Sequence, residues 1–307
     1  MRIGQSSPKR SRFFPECEPI VPRLRRLRDE SLEAALQDLQ AKAKDYPRGL
    51  QQLAAVRYYL QYILWHCGTA WRDVAKGVTN YKTLLDLIER TNIKNEPVCI
   101  VTFNYDMLLE DALSDFGLPI KAVTDYTKRH PFYKVFKVHG SVNWARIVDN
   151  EILSQNPKHD WSVTHEWIQR AAELSVTDNY ALCSSCPTAV VDGRPAFPAI
   201  AIPVEKEKTF ECPSSLIEEL KTWLPETTKT LVIGWRATEE HFLNLLKAHL
   251  RPGLLFHVVA GNLQDADEVQ VRIHRALMNK PPRHVSAGDK GFTDFILSGD
   301  AENFLAM

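Results

Sequence analysis

The sequence predicts an α/β protein with a doubly wound, mainly parallel sheet, helices on both faces of the sheet and an N-terminal helical segment. Short β-branched and aromatic runs begin at Val98 and Tyr133 and end abruptly in polar residues, as buried strands do. From Val98 onward, such runs alternate with segments of helical spacing. This alternation is typical of parallel strands joined by crossover helices.

Composition narrows the class of protein. The chain has 307 residues, of which 44% are hydrophobic and 25% charged, as in a soluble protein with a real core. Lys+Arg and Asp+Glu each number 38, so we expect no nucleic-acid partner. The sequence has neither a membrane-length apolar run nor an apolar N-terminal stretch, so we expect no membrane partner. Scattered cysteines favour a reducing, cytoplasmic location.

Two units are expected along the chain. Residues 1–48 form a basic, Pro-rich N-terminal segment with a helix, and residues 49–300 form the α/β domain, with an insertion at about 145–198 where periodicity is weak. The basic cluster could be a nucleic-acid or localisation patch, but its prolines favour a solvated terminus. We expect Asn80 to cap one helix, and Pro47 to break the chain between two others. Helical spacing before the first strand covers residues 29–45, 50–67 and 81–90.

Polar residues follow the first two predicted strands. Asn104 and Asp106 come after the first strand, and His139 follows the second on a turn with Gly140. Ligands bind at the carboxyl ends of strands in such sheets, so we expect these side chains to form a site. Taken alone, Asp106 could simply cap the next helix, and His139 could be a core histidine bonded to a carbonyl. Their combination favours the site.

These motifs resemble those of sirtuins. Thr102–Asp106 reads Thr-Phe-Asn-Tyr-Asp and resembles the sirtuin Thr-Gln-Asn-Ile-Asp motif, and Val138–Ser141 resembles the His-Gly motif. Leu231–Trp235 is similar to the Gly-Thr-Ser strand end, and Val258–Asn262 to the adenosine-side strand that ends in asparagine. The aromatic variants look more like the sirtuin-like domains of prokaryotic defence proteins than like deacylases. The similarity covers roughly residues 80–280 and implies a Rossmann-like fold.

The resemblance implies that NAD is the substrate and that the nicotinamide–ribose bond is cleaved. Asn104 would position ribose and water, Asp106 would bind the carboxamide, and His139 would be the base. A catalytically silent nucleotide-binding or scaffolding module and an NAD-dependent protein deacylase are the alternatives. A homo-oligomer or a regulatory protein partner stays open, as does a role in antiviral defence. The cofactor-binding candidates are Thr102, Phe103, Tyr105, Gly140, Gly234, Trp235, Arg236, Gly261 and Asn262.

The chain departs from the family in its phosphate-binding loop. Sirtuin-like domains open with a strand and a Gly-Ala-Gly loop, and the nearest sequence here, Gly4-Gln5-Ser6-Ser7, lacks the second glycine. The chain is then truncated relative to the family, or its pyrophosphate site is built differently or lost. We therefore expect weak NAD binding. Trp235 and Arg236 replace small residues, and Trp235 could line or obstruct the pocket.

Cys183 and Cys186 fall where sirtuins carry a zinc ribbon. A structural zinc site needs four ligands, normally from two such pairs, and this chain has one pair. His159 and His165 are candidates for the further ligands, but we expect neither to bind zinc. We therefore expect ordinary thiols and no bound metal.

Overall fold

The computed structural model describes residues 14–17, 32–43, 46–77, 79–92, 96–149, 161–203, 209–282, 284–288 and 290–307. The Gly4-Gln5-Ser6-Ser7 segment, most of the basic N-terminal cluster and His159 lie outside the described residues.

Helices and strands alternate along most of the described chain. The helices are α1 (Leu32–Ala43), α2 (Pro47–Ala75), α3 (Asn80–Thr91), α4 (Leu108–Asp115), α5 (Asp125–Lys128), α6 (Trp161–Gln169), α7 (Ser214–Trp223), α8 (Glu240–His249), α9 (Leu263–Ala276), α10 (Gly291–Leu297) and α11 (Asp300–Ala306). The strands are β1 (Val98–Thr102), β2 (Tyr133–Lys137), β3 (Gly140–Val148), β4 (Val176–Leu182), β5 (Val190–Val191), β6 (Arg194–Ile200), β7 (Lys229–Ile233), β8 (Leu255–Val259) and β9 (His284–Gly288).

Five of these strands form parallel sheets. β1 pairs with β2, and β7, β8 and β9 form a second sheet in that order. Side chains of β8 alternate between faces: Phe256 and Val258 join the main core, whereas Val259 packs with Phe295 and Phe304 of the last two helices. Helices therefore cover both faces of this sheet. The predicted Rossmann-like α/β fold with parallel strands is confirmed.

A four-stranded antiparallel sheet, in the order β4-β3-β6-β5, was not predicted. It occupies much of the segment interpreted as an insertion, and β3 begins at Gly140, directly after the His-Gly turn. Pro195 and Pro198 lie inside β6, and proline normally argues against a strand. β3 starts at the predicted site, and its Val142 amide donates to the Tyr105 carbonyl, so this sheet is bonded to the residues that follow β1.

The N-terminal helices pack on each other and on the antiparallel sheet. A Cβ on Gly49 would lie 2.6 Å from the Cα of Ala43, so glycine permits the close approach of α1 and α2. Pro47 separates the two helices as predicted, but α2 begins at this proline, which is tolerated in the first turn. The buried Gln61 side chain donates to the carbonyl of Val142 at 3.0 Å and fixes α2 against β3.

The expected cap of α3 was wrong by one residue. Thr79 is the N-cap, and its hydroxyl accepts the Lys82 amide at 3.3 Å. The Asn80 side chain instead donates to Thr293, which ties α3 to α10. No helix in the described ranges combines the length and apolar character needed to cross a bilayer, although α2 has 29 residues.

Candidate active site

The site loop, residues 103–107, connects β1 to α4 at the carboxyl edge of the first parallel sheet. The Tyr105 carbonyl accepts the Val142 amide at 2.9 Å, and the Thr102 carbonyl accepts the Val138 amide at 3.2 Å. These main-chain bonds hold the loop against the segment that carries the His-Gly turn. The two predicted strand ends are therefore brought together, as the sequence indicated.

Asp106 lies one residue before Met107, the N-cap of the following helix, and is therefore not the predicted cap itself. Its carboxylate accepts the Leu108 amide at 3.0 Å, in the first turn of α4. The same residue lines a small cleft of about 10 Å³ between the site loop and α2, together with Trp65 and Arg72. The bond to the Leu108 amide therefore accounts for one contact of this carboxylate, and the cleft has room for about one water molecule beside it.

Asn104 is exposed and points toward α3. Its amide donates to the Tyr81 hydroxyl at 2.7 Å. Burial, and next the negative charge of Asp106, raise the pKa of Tyr81 above its ordinary value, so the phenol stays protonated. Sequence reasoning missed Tyr81 as a neighbour of the site. The sequence carries no signal for it, because the contact joins residues in separate elements.

His139 presents an unsatisfied ring nitrogen. In the part of the chain that the structure describes, its buried Nε2 atom has no hydrogen-bond partner. The ring centroid lies 4.9 Å from that of Phe103, 6.3 Å from that of Tyr105 and 6.2 Å from that of His241. Buried polar atoms without a partner are rare in folded proteins, and a catalytic role is one of the explanations for them.

The surroundings of His139 keep its imidazole neutral. Burial lowers its pKa to about 4, the charge of Glu239 opposes that shift, and His241 adds to it. Burial dominates because a charged imidazole loses more hydration than a neutral one. At neutral pH, the ring can therefore accept a proton.

Gly140 fixes the turn after His139. Its φ of +78° lies in the left-handed region, and an added Cβ would lie 2.1 Å from the Ala199 carbonyl oxygen. A side chain is excluded on both grounds. The glycine at this turn thus has two structural causes, its positive φ and the close approach of β6.

An aromatic cluster joins the carboxyl edges of the two parallel sheets. The rings of Phe103 and Trp235 stack with centroids 5.4 Å apart and an interplanar angle of 5°. Phe242 packs edge-on against both rings. The Trp235 indole also donates to Glu239. Trp235 therefore packs against Phe103, the ring that contacts His139, and is held by this packing and by the hydrogen bond to Glu239.

Asn262 and Gly261 lie at the carboxyl end of β8. Asn262 is the N-cap of α9. Its side-chain Oδ1 atom accepts the Asp265 backbone amide at 2.9 Å, and its side-chain Nδ2 atom donates to the Asp265 carboxylate at 2.9 Å. Because of this cap, α9 begins at residue 263 rather than near 266, where apolar spacing alone would start it. Gly261 is exposed, with open space around it.

Gly234 and Arg236 flank Trp235 at the end of β7. The Gly234 amide donates to the Val259 carbonyl at 3.0 Å, and the Arg236 carbonyl accepts from Arg272 at 2.8 Å. Both residues are exposed. Within the described ranges, their hydrogen bonds run to neighbouring elements of the second parallel sheet and not to the site loop or His139.

The cysteine pair shows no sign of thiolate character. Burial is the main cause that raises the pKa of both Cys183 and Cys186 to about 12, which keeps the thiols protonated. In the described ranges, no group of three or more His, Cys, Asp or Glu side chains could hold a metal ion. The absence of a metal from the whole chain stays a prediction.

A comparison with protein families finds one described as the SIR2-like domain. Residues 98–186 match this family. The match begins at the first residue of β1 and includes Asn104, Asp106 and His139. The predicted resemblance to sirtuin-like domains, a family that uses NAD, is thereby confirmed for this SIR2-like region. The second parallel sheet lies outside the match. No match was found among curated proteins.

Proposed function

We propose that the site cleaves the nicotinamide–ribose bond of NAD and that the chain is an NAD glycohydrolase. The observation that carries the proposal is the buried Nε2 atom of His139, which has no partner among the described residues and belongs to a neutral imidazole. The match of residues 98–186 to an NAD-using family supports the choice of substrate.

The proposed reaction assigns a role to each strand-end side chain. The C–N bond between ribose and nicotinamide breaks, and its electron pair leaves with nicotinamide, as in glycoside hydrolysis through an oxocarbenium-like state. Asn104 positions ribose and the attacking water, and Asp106 binds the carboxamide. Water supplies the new oxygen at C1, and its proton passes to His139 and then to solvent. A base with a pKa near 4 gives little driving force for proton transfer, so we expect a modest rate.

Nicotinamide release tests the proposal. The folded protein should convert NAD to nicotinamide and ADP-ribose, measured by chromatography. His139→Ala should lower the rate by about two to four orders of magnitude, because general-base catalysis contributes on that scale. Circular dichroism on both proteins controls for folding. A folded wild-type protein that releases no nicotinamide at any accessible NAD concentration would exclude the glycohydrolase.

The second candidate is a catalytically silent nucleotide-binding or scaffolding module. It is favoured by the stack of Trp235 on Phe103, the ring that contacts His139, because the family has small residues at the position of Trp235. Such a module would bind NAD or a related nucleotide without turnover. The deacylase alternative predicts a third outcome, nicotinamide release only when an acetylated peptide is present.

A further inference from the structure

A buried polar network lies beneath the site loop. The Lys137 ammonium contacts the Glu110 carboxylate at 2.9 Å, with side-chain exposures of 1% and 10%. The same carboxylate oxygen accepts the Tyr126 hydroxyl, which in turn accepts the Trp144 indole N–H at 3.2 Å. The four side chains come from β2, α4, α5 and β3, so the network connects the elements around the site.

The network reaches the site through one backbone atom. The Lys137 ammonium also donates to the carbonyl oxygen of Asp106, in the site loop. Lys137 ends β2 and is followed, after one residue, by His139. Glu110 lies in the first turn of α4, the helix whose first amide, that of Leu108, donates to Asp106. A single ammonium therefore connects the loop that carries Asn104 to the strand that leads to the imidazole.

Stability alone gives a weak reason for this ion pair. Burying an ammonium and a carboxylate removes both from water, and apolar replacements of buried pairs are often neutral or stabilising. The bond to the Asp106 carbonyl is what an apolar pair could not supply. Charge-assisted hydrogen bonds are also shorter and roughly twice as strong as neutral ones, which suits a role in holding the loop in place.

We propose that Lys137 is a positioning residue, whose buried ammonium holds the Asp106 carbonyl and thereby fixes the site loop relative to His139. The catalytic part of this inference rests on the proposed glycohydrolase activity. The structural part, the restraint of the loop, does not.

Two variants and one control test the inference. Lys137→Met alone leaves the Glu110 charge buried without a partner, so the fold itself is at risk. Lys137→Met/Glu110→Gln removes both charges, and its glutamine oxygen can still accept the Tyr126 hydroxyl. The control is Lys134→Met: Lys134 lies on the same strand and its ammonium also donates to a carbonyl, that of Thr127, away from the site loop.

Amide hydrogen exchange gives a readout that needs no activity. In the double variant, peptides that cover residues 104–111 should exchange about 10- to 100-fold faster than in the wild type, since a hydrogen bond to a charged group restrains that loop. Peptides from β7 and β8 should exchange as in the wild type. In Lys134→Met, the loop should stay protected. Unchanged protection of residues 104–111 in a folded double variant would overturn the proposal.

Kinetics give the second readout. If the wild type releases nicotinamide, the double variant should lose about tenfold or more in kcat per folded molecule, with a smaller change in KM, because misplacement affects the reacting geometry more than ground-state binding. A purely structural role would lower only the folded fraction and leave kcat per folded molecule unchanged, which would also overturn the proposal. If the wild type releases no nicotinamide, the glycohydrolase proposal fails, and hydrogen exchange still decides whether Lys137 restrains the loop.

Discussion

The two parallel sheets end in polar residues at their carboxyl edges, but they hold those residues differently. At the β1–β2 edge, bonds from distant segments fix the loop, such as Val142 to Tyr105, while the Nε2 atom of His139 stays unsatisfied within the described residues. At the β7–β8 edge, both the side-chain oxygen and the side-chain nitrogen of Asn262 are hydrogen-bonded to Asp265, three residues away. A polar residue at a strand end therefore indicates a site only when a polar atom of its side chain is not already hydrogen-bonded to residues close to it in the sequence.

The largest expected effect concerns NAD affinity. The first edge carries the side chains proposed to bind nicotinamide, whereas the second carries the N-cap of α9 and exposed glycines, and the sequence shows no Gly-Ala-Gly loop for the pyrophosphate. Losing two or three charge-assisted hydrogen bonds, each about 1.5–3 kcal/mol, weakens binding by several orders of magnitude at about 1.4 kcal/mol per decade. We expect calorimetry to find weak binding. A micromolar dissociation constant would instead assign a phosphate site to the second edge, with Arg236 as the first residue to replace.

The two edges can also be compared through the free energy of unfolding, by replacing one glycine at each edge. Gly140→Ala places a Cβ 2.1 Å from a backbone oxygen at a φ of +78°, whereas Gly234→Ala meets open space at a φ of +64°. We expect Gly140→Ala to lower the free energy of unfolding by about 2–5 kcal/mol, the sum of backbone strain and overpacking, and Gly234→Ala by about 1–2 kcal/mol from strain alone. Denaturant unfolding measures both. Equal losses would mean that the tight approach of β6 relaxes at little cost.

Two asparagines make the corresponding test of activity. Asn104→Ala removes the side chain proposed to position ribose and water, so nicotinamide release should fall by about a hundredfold. Asn262→Ala should leave the rate within a few-fold and cost about 1 kcal/mol of stability, as loss of an N-cap does. The reverse result, a large rate loss only in Asn262→Ala, would transfer the reacting centre to the second sheet.

The smallest effect concerns the charge beside His139. Glu239→Gln removes the negative charge that stabilises the imidazolium, so the pKa of His139 should fall further below its ordinary value. His241→Phe should raise it, since the neighbouring imidazole disfavours a second positive charge. NMR titration of the His139 ring measures both shifts. Shifts of the same sign in the two variants would show that burial, and not these neighbours, controls the difference.

The positions of the strand ends could be predicted from the sequence, whereas the contacts between distant residues around the site could not. The runs at Val98 and Tyr133 are rich in β-branched and aromatic residues, so the strands stand out in the sequence although β2 also contains Lys134 and Lys137. β6 was missed because Pro195 and Pro198 interrupt it. The environment of His139 depends on His241, about a hundred residues away, and local sequence patterns contain no information about such pairs.

The most direct test is the pH profile of nicotinamide release. kcat/KM reports the ionisation of the free protein, so its acidic midpoint should lie near pH 4, where the buried His139 becomes protonated, and the rate should be level from about pH 6 to pH 8. His139→Ala should lose both the rate and this midpoint. An acidic midpoint near the ordinary histidine value of about 6.5, or a His139→Ala variant that keeps the wild-type rate and profile, would contradict the assignment of His139 as the buried base.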